Sequence, residues 1–377
     1  MFPVKCFSCF SKISLFVTLC IASCSCSSND DDSPAPDVTV EIDAPVTIVM
    51  DEGDSRQLTA TASDGRAIVW SSSDESIATV DQEGNVTAVA YGKATITAKS
   101  ASGHQAKRTV LVKGYTLVWS DEFDQQQLDT EVWNFEIGTG SWGWGNNEKQ
   151  YYTNRPENVR LENGELVIEA RKEDYNGSAY TSARITTKNN KDFTYGRIEA
   201  RMKLPKGGGT WPAFWMLGYG SWPRCGEIDI MEHVGNDPNM ISHALHTSAA
   251  NGSNGKNWYQ QKRDINVEDE WHTYGIEWIE NENETYERDA IFFLIDGERT
   301  GFRRHSPQES DDDTVWPFTK PEYIIFNLAI GGNMGGAIND DAFNQPVEMH
   351  VDWVRVYQKQ LPLSILTPPF ILSHLTS

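Results

Sequence analysis

Gly226-Glu227-Ile228-Asp229-Ile230-Met231-Glu232 sets three acids into an otherwise apolar run. In a β-strand, residues i and i+2 share a face. Glu227 and Asp229 then point one way, and Ile228 and Ile230 the other. A half-exposed strand gives that alternation freely, so the first two acids mean little by themselves. The third is different. In a regular strand Glu232 shares a face with Ile228 and Ile230, toward a core where a bare carboxylate is costly. One extra residue around Ile230-Met231, a bulge, shifts everything downstream by one and returns Glu232 to the face of the other acids.

Outward from this stretch, residues 115 to about 358 hold further strand-like runs. Leu166–Ala170, Gly196–Met202 and Ile291–Ile295 are clear examples, and Asp296-Gly297 is a hairpin-type turn signal. No stretch of a dozen residues keeps a 3.6-residue period, so this part is expected to be all-β, a large two-sheet sandwich or jelly roll. Residues 38–113 alternate in the same manner on a smaller scale. Val46–Val49, Ala67–Trp70, Ile77–Val80 and Ala94–Ala98 read as short strands, with turns at Asp64-Gly65 and Glu83-Gly84-Asn85. They suggest a small β-sandwich. The join near Lys113-Gly114 is expected to be loose.

Three clustered acids suit hydrolysis of a glycosidic bond. One carboxylate must be ionised to attack the anomeric carbon, while another must hold a proton for the leaving oxygen. Crowding like charges raises the pKa of one member and separates the two roles.

The motif Glu227-Ile-Asp229-Ile-Met-Glu232 resembles the signature of glycoside hydrolase family 16 in its laminarinase-like form. The resemblance spans residues 115–358. It includes Trp119–Phe123, Asn146–Thr153, Gly196–Arg201, Gly209–Trp215 and Val351–Tyr357. It implies a concanavalin-like β-jelly roll with an open-ended cleft and retention of configuration. It also implies Glu227 as nucleophile, Glu232 as acid/base and Asp229 assisting. Residues 38–113 are similar to bacterial Ig-like domains of group 2, on Val69–Asp74, Ile77–Val80 and Gly84–Ala88.

Of 13 tryptophans, all but Trp70 lie in residues 115–358, and sugar rings pack their C–H faces on aromatic rings. By resemblance, Trp211 and Trp215 are expected to form stacking walls, with Trp142 or Trp144 closing a far subsite. Asn154 and Arg184 are the polar candidates on the glycone side, and His246 stands beside the cleavage point. A tryptophan in a β-sandwich is more often core than platform, so each has a structural rival. His233 and His243 read as structural. Catalysis is expected to need no cofactor. The resemblance offers a structural calcium site at Glu122, Gly164 and Asp352, and oxygen ligands suit that ion. Cys225, the one cysteine beyond residue 26, reads as packing.

The formal net charge of −22 argues against nucleic acid as partner and is compatible with a neutral polysaccharide. Residues 1–23 read as a signal peptide, too short in its apolar run to span a membrane. Ile21-Ala22-Ser23-Cys24 resembles a lipobox, which makes Cys24 the expected site of lipidation. Residues 24–37 read as a polar acidic tether. Asp30-Asp31-Asp32 resembles the surface-export signals of Bacteroidetes lipoproteins, so the expected location is the outer-membrane cell surface of a Gram-negative bacterium. Residues 359–377 form an apolar tail to which no role is assigned. The expected protein is a monomeric endo-acting hydrolase of β-1,3-glucan, laminarin-type or mixed-linkage. The alternatives are the same chemistry on an agar- or carrageenan-type galactan, a non-catalytic carbohydrate binder, and a surface adhesin.

Overall fold

The computed structural model describes residues 37–280 and 289–360. The signal peptide, Cys24, nearly all of the tether and the tail beyond Gln360 lie outside the described residues.

Two sheets build the larger unit. Among the described residues, one sheet has seven strands in the order Asn134–Phe135, Arg184–Thr186, Glu322–Ile330, Thr210–Gly218, Glu227–Glu232, Met240–His246, Trp258–Arg263. The facing sheet runs through Glu165–Tyr175, Val347–Gln360, Gly196–Lys203, Trp271–Ile279 and Ala290–Ile295. Strand alternation decides what lies between them. Ile324, Phe326, Leu328 and Ile330 of one central strand join Ile228, Ile230, Ile276, Phe293, Val354 and Val356 in one buried cluster. Phe214 stacks on Phe326 at 4.8 Å between ring centroids. Each such side chain contributes roughly 1.5–3 kcal/mol by leaving water. The alternate residues, Tyr323, Ile325 and Asn327, turn to the outer face of the seven-stranded sheet, where the acids also stand.

Residues 38–113 form a second core around Ile48, Trp70, Val86, Ile96 and Val110. The loose join expected at Lys113-Gly114 is not what the structure shows. One strand, Gln105–Asp121, runs straight through it. Its first half pairs with Gly92–Ser100 and Thr47–Asp51 of the small sandwich. Its second half pairs with Val347–Gln360, with Gly114 opposite Gln360 and Asp121 opposite Val354. A Cβ on Gly114 would stand 2.5 Å from the Cβ of Tyr91, so only glycine fits against that side chain here. Lys359 adds an ion pair to Asp51 at 3.1 Å. Every peptide at the join has ladder partners available, so it is a shared strand rather than a hinge.

Candidate active site

The strand Glu227–Glu232 carries the bulge that its acids require. Against Met240–His246, Asp229 pairs with Ala244 and Glu232 with Ser242, so three steps on one strand match two on the other. On the opposite side, Trp215 pairs with Asp229 and Phe214 with Met231. Both ladders therefore skip Ile230. The extra residue lets Ile230 and Met231 both pack into the core, while Asp229 and Glu232 share the outer face. Gly226 starts the strand at φ +85°, a left-handed conformation that glycine adopts without penalty.

On that face the groups converge. Glu227, Asp229 and His246 each place one polar atom within 4.8 Å of the others. His246 Nδ1 accepts the backbone N–H of Gly252 at 3.0 Å. Its Nε2 must therefore carry the hydrogen, and it points at Asp229 Oδ2, 3.2 Å away, with Glu227 Oε1 at 3.7 Å. Trp211 donates from Nε1 to Glu232 Oε1 at 3.1 Å. Burial pushes the carboxyls of Glu227, Asp229 and Glu232 up to about 8 each. Asp229 raises both glutamates further, and His246 pulls both back. The three cannot all be ionised near neutrality. Glu227 keeps 15% of its side chain exposed against 8% for Asp229, so solvation favours Glu227 as the ionised member.

The expected sugar-binding residues fall into two groups. Trp211, Trp215, Arg184 and His246 surround the acids. Trp215 donates from Nε1 to Asn327 Oδ1 at 2.7 Å. Arg184 lies between the rings of Trp215 and Trp144, at 4.7 and 4.5 Å, and pairs with Glu136. Trp144 is thus the residue of its pair that reaches the site, while Trp142 stands 87% exposed. Asn154 is exposed.

Sequence reading missed the support behind these walls. Asn327 donates to Tyr152 Oη at 3.1 Å, and Tyr152 donates to half-buried Glu148 at 3.2 Å, so a polar chain fixes Trp215 from behind. Trp222 places its ring 6.0 Å from that of His246. Neither connection has a local signal, because each joins strands far apart in sequence. Glu322 was also missed. It is fully buried, neither carboxylate oxygen has a hydrogen-bond partner, and burial pushes its pKa far upward. One of its oxygens would lie 2.9 Å from a Cβ on Gly226, just before Glu227.

The positions offered for calcium lie away from this face, around the facing sheet. Glu122 accepts from Nε and Nη2 of Arg355, at 3.0 and 2.7 Å, and Asp352 accepts from Arg201 at 2.6 Å. Gly164 forms the turn before Glu165 at φ +79°.

An acid triple largely withdrawn from solvent on a bulged strand, walled by tryptophan, suits hydrolysis of a glycosidic bond. Residues 146–355 match glycosyl hydrolases family 16. The chain belongs to this family. Residues 38–126 match the bacterial Ig-like domain of group 2, a match that runs through the whole shared strand. A β-glucanase of Rhodothermus marinus is 43% identical over 252 residues, covering 65% of this chain and 85% of the relative. The laminarinase of Flavobacterium sp. UMI-01 has a crystal structure that superposes with a TM-score of 0.57 at 42% identity, over 64% of this chain and all of that one. The laminarinase of Rhodothermus marinus superposes with a TM-score of 0.60 at 41% identity, over 66% of this chain and 99% of that one. The family member described here is a glycoside hydrolase built as an all-β sandwich with an Ig-like module before it.

Proposed function

We propose that this hydrolase cuts internal β-1,3 bonds of a laminarin-type glucan, accepting mixed-linkage glucan as well, by double displacement. The bulge at Ile230 carries the reading, since it brings a nucleophile and an acid/base to one face of one strand. The ionised Glu227 attacks the anomeric carbon while Glu232 gives its proton to the departing oxygen. Glu232 then takes a proton from water, which releases the glycosyl group from Glu227. Asp229, held by His246, keeps a hydrogen-bonding group beside the nucleophile. The β-glucanase and laminarinase relatives support glucan as the substrate class. Incubation with laminarin, lichenan, curdlan, agarose and carrageenan tests it. We expect laminarin to fall to mixed oligosaccharides from the earliest time points, with the β-anomer appearing first by NMR. Degradation of agarose or carrageenan with laminarin untouched would make the substrate a galactan.

Paired-carboxylate hydrolysis uses no cofactor. Calcium has no part in the reaction; a structural ion on the facing sheet would share Asp352 with Arg201, which takes one of its oxygens. The lipobox resemblance supports anchoring of the chain, taken as a monomer, through Cys24, and the Asp30-Asp31-Asp32 run supports display at the outer-membrane surface. Cys24→Ala should abolish incorporation of a labelled fatty acid by producing cells; undiminished labelling would reject the anchor.

A further inference from the structure

The bulge has a cost that a side chain outside the reaction offsets. Both ladders skip Ile230, so neither neighbouring strand holds this buried residue in a regular pair that would fix its carbonyl. An unmet buried carbonyl is unfavourable, and it lowers the cost of slipping Ile230 back into register. That slip would turn Glu232 into the core.

His243 stands opposite the bulge, between Ser242 and Ala244, as the single residue facing two. It is fully buried on the core side, with its ring stacked on Phe293 at 4.8 Å. Its Nδ1 lies 2.7 Å from the Ile230 oxygen. A carbonyl only accepts, so Nδ1 carries the hydrogen. Nε2 lies 2.9 Å from Thr300 Oγ1, and in the neutral ring that nitrogen accepts the hydroxyl hydrogen in preference to the longer 3.3 Å contact from the same hydroxyl to the Phe293 carbonyl. The ring is thus held from both ends in one tautomer.

We propose that His243 is a positioning residue that locks the catalytic bulge by capping the Ile230 carbonyl, and so fixes the direction of Glu232. The ring touches no substrate and moves no proton. Burial holds its pKa down to about 4, so it stays neutral across the range in which such an enzyme works. A histidine serves where leucine would pack equally well because its hydrogen-bonding nitrogen sits one atom beyond Cγ, within reach of the strand beside it. Asparagine places its amide nitrogen at the same distance along the side chain.

The inference rests on Glu232 as acid/base, and Glu232→Gln tests that assignment separately. If Glu232→Gln keeps its turnover, the assignment falls. With that loss confirmed, kcat and KM of His243→Leu and His243→Asn test the cap. We expect His243→Leu to lose at least about tenfold in kcat with little change in KM, and His243→Asn to recover most of it. Equal losses in both variants, or a loss in neither, would overturn the proposal. The native enzyme gives a second test that does not depend on the leucine variant folding. Nitrogen-15 NMR of labelled histidine should show His243 in the Nδ1–H tautomer from pH 5 to 9. An Nε2–H tautomer or an imidazolium in that range would overturn it equally.

Discussion

Acids on the two sheets of the catalytic sandwich are treated in opposite ways. On the facing sheet, Arg160 pairs with Glu162, Glu169 and Glu348 at once. Glu122 takes Nε and Nη2 of Arg355, and Asp352 takes Arg201. Each of those carboxylates is matched to an arginine, and the pKa values of Glu122 and Glu162 are held down mainly by their arginine hydrogen bonds. On the other sheet, Glu227, Asp229, Glu232 and Glu322 are buried, and among the described residues none is ion-paired with a lysine or arginine. Burial pushes all four pKa values up. The first set does little more than decorate a stable surface. The second set costs stability, and a fold retains such a cost where chemistry needs it. The difference lies in partners and solvent, not in residue type.

The largest test of this contrast is Glu227→Gln. Turnover should fall at least about a thousandfold, because the covalent step is lost. The same change removes a buried charge, so the melting temperature at pH 8 should rise by a few degrees. A variant that is inactive but less stable than the parent would break the comparison.

Glu322→Leu gives a smaller effect and separates cost from catalysis. The folded pKa of Glu322 lies above its unfolded value, so between the two the folded state holds more protons. Its contribution to stability is therefore lost as pH rises from about 4.5, by at most about 1.4 kcal/mol per pH unit. The leucine variant should gain about 1–3 kcal/mol over the parent at pH 8 and little at pH 5, read from melting curves at each pH. Glu122→Gln serves as the opposite sign. Its folded pKa is depressed, so the stability it gives is present above the unfolded pKa and lost as pH falls. Its removal should cost under about 1 kcal/mol at pH 7 and nothing at pH 3. Parallel curves for the two variants would show that burial and pairing do not separate the sheets.

Much of the fold was legible because side-chain alternation along a strand follows from backbone geometry. The runs at Leu166–Ala170 and Gly196–Met202 are strands, and the cores alternate as their residues do. The bulge was legible too, since a regular strand would have buried Glu232 unpaired. The join was not. Lys113-Gly114 looks like a linker, and that glycine is needed for close approach to Tyr91 inside a continuous strand. Nor could Trp142 and Trp144 be told apart, because loop geometry places one ring on Arg184 and leaves the other in solvent.

The sequence by itself determined that the chain is all-β, that Glu227, Asp229 and Glu232 belong together, and that one residue between them had to be surplus. Those are properties of neighbours along one strand, fixed by bond geometry and the cost of burying charge. Only the tertiary structure decided which side chains complete them: His246 on Asp229, Trp211 on Glu232, Asn327 and Tyr152 behind Trp215, His243 on the freed carbonyl. Each of these contacts depends on the register between strands that meet only after the sheets close. No local pattern specifies that register, because it is set by the packing of the whole core.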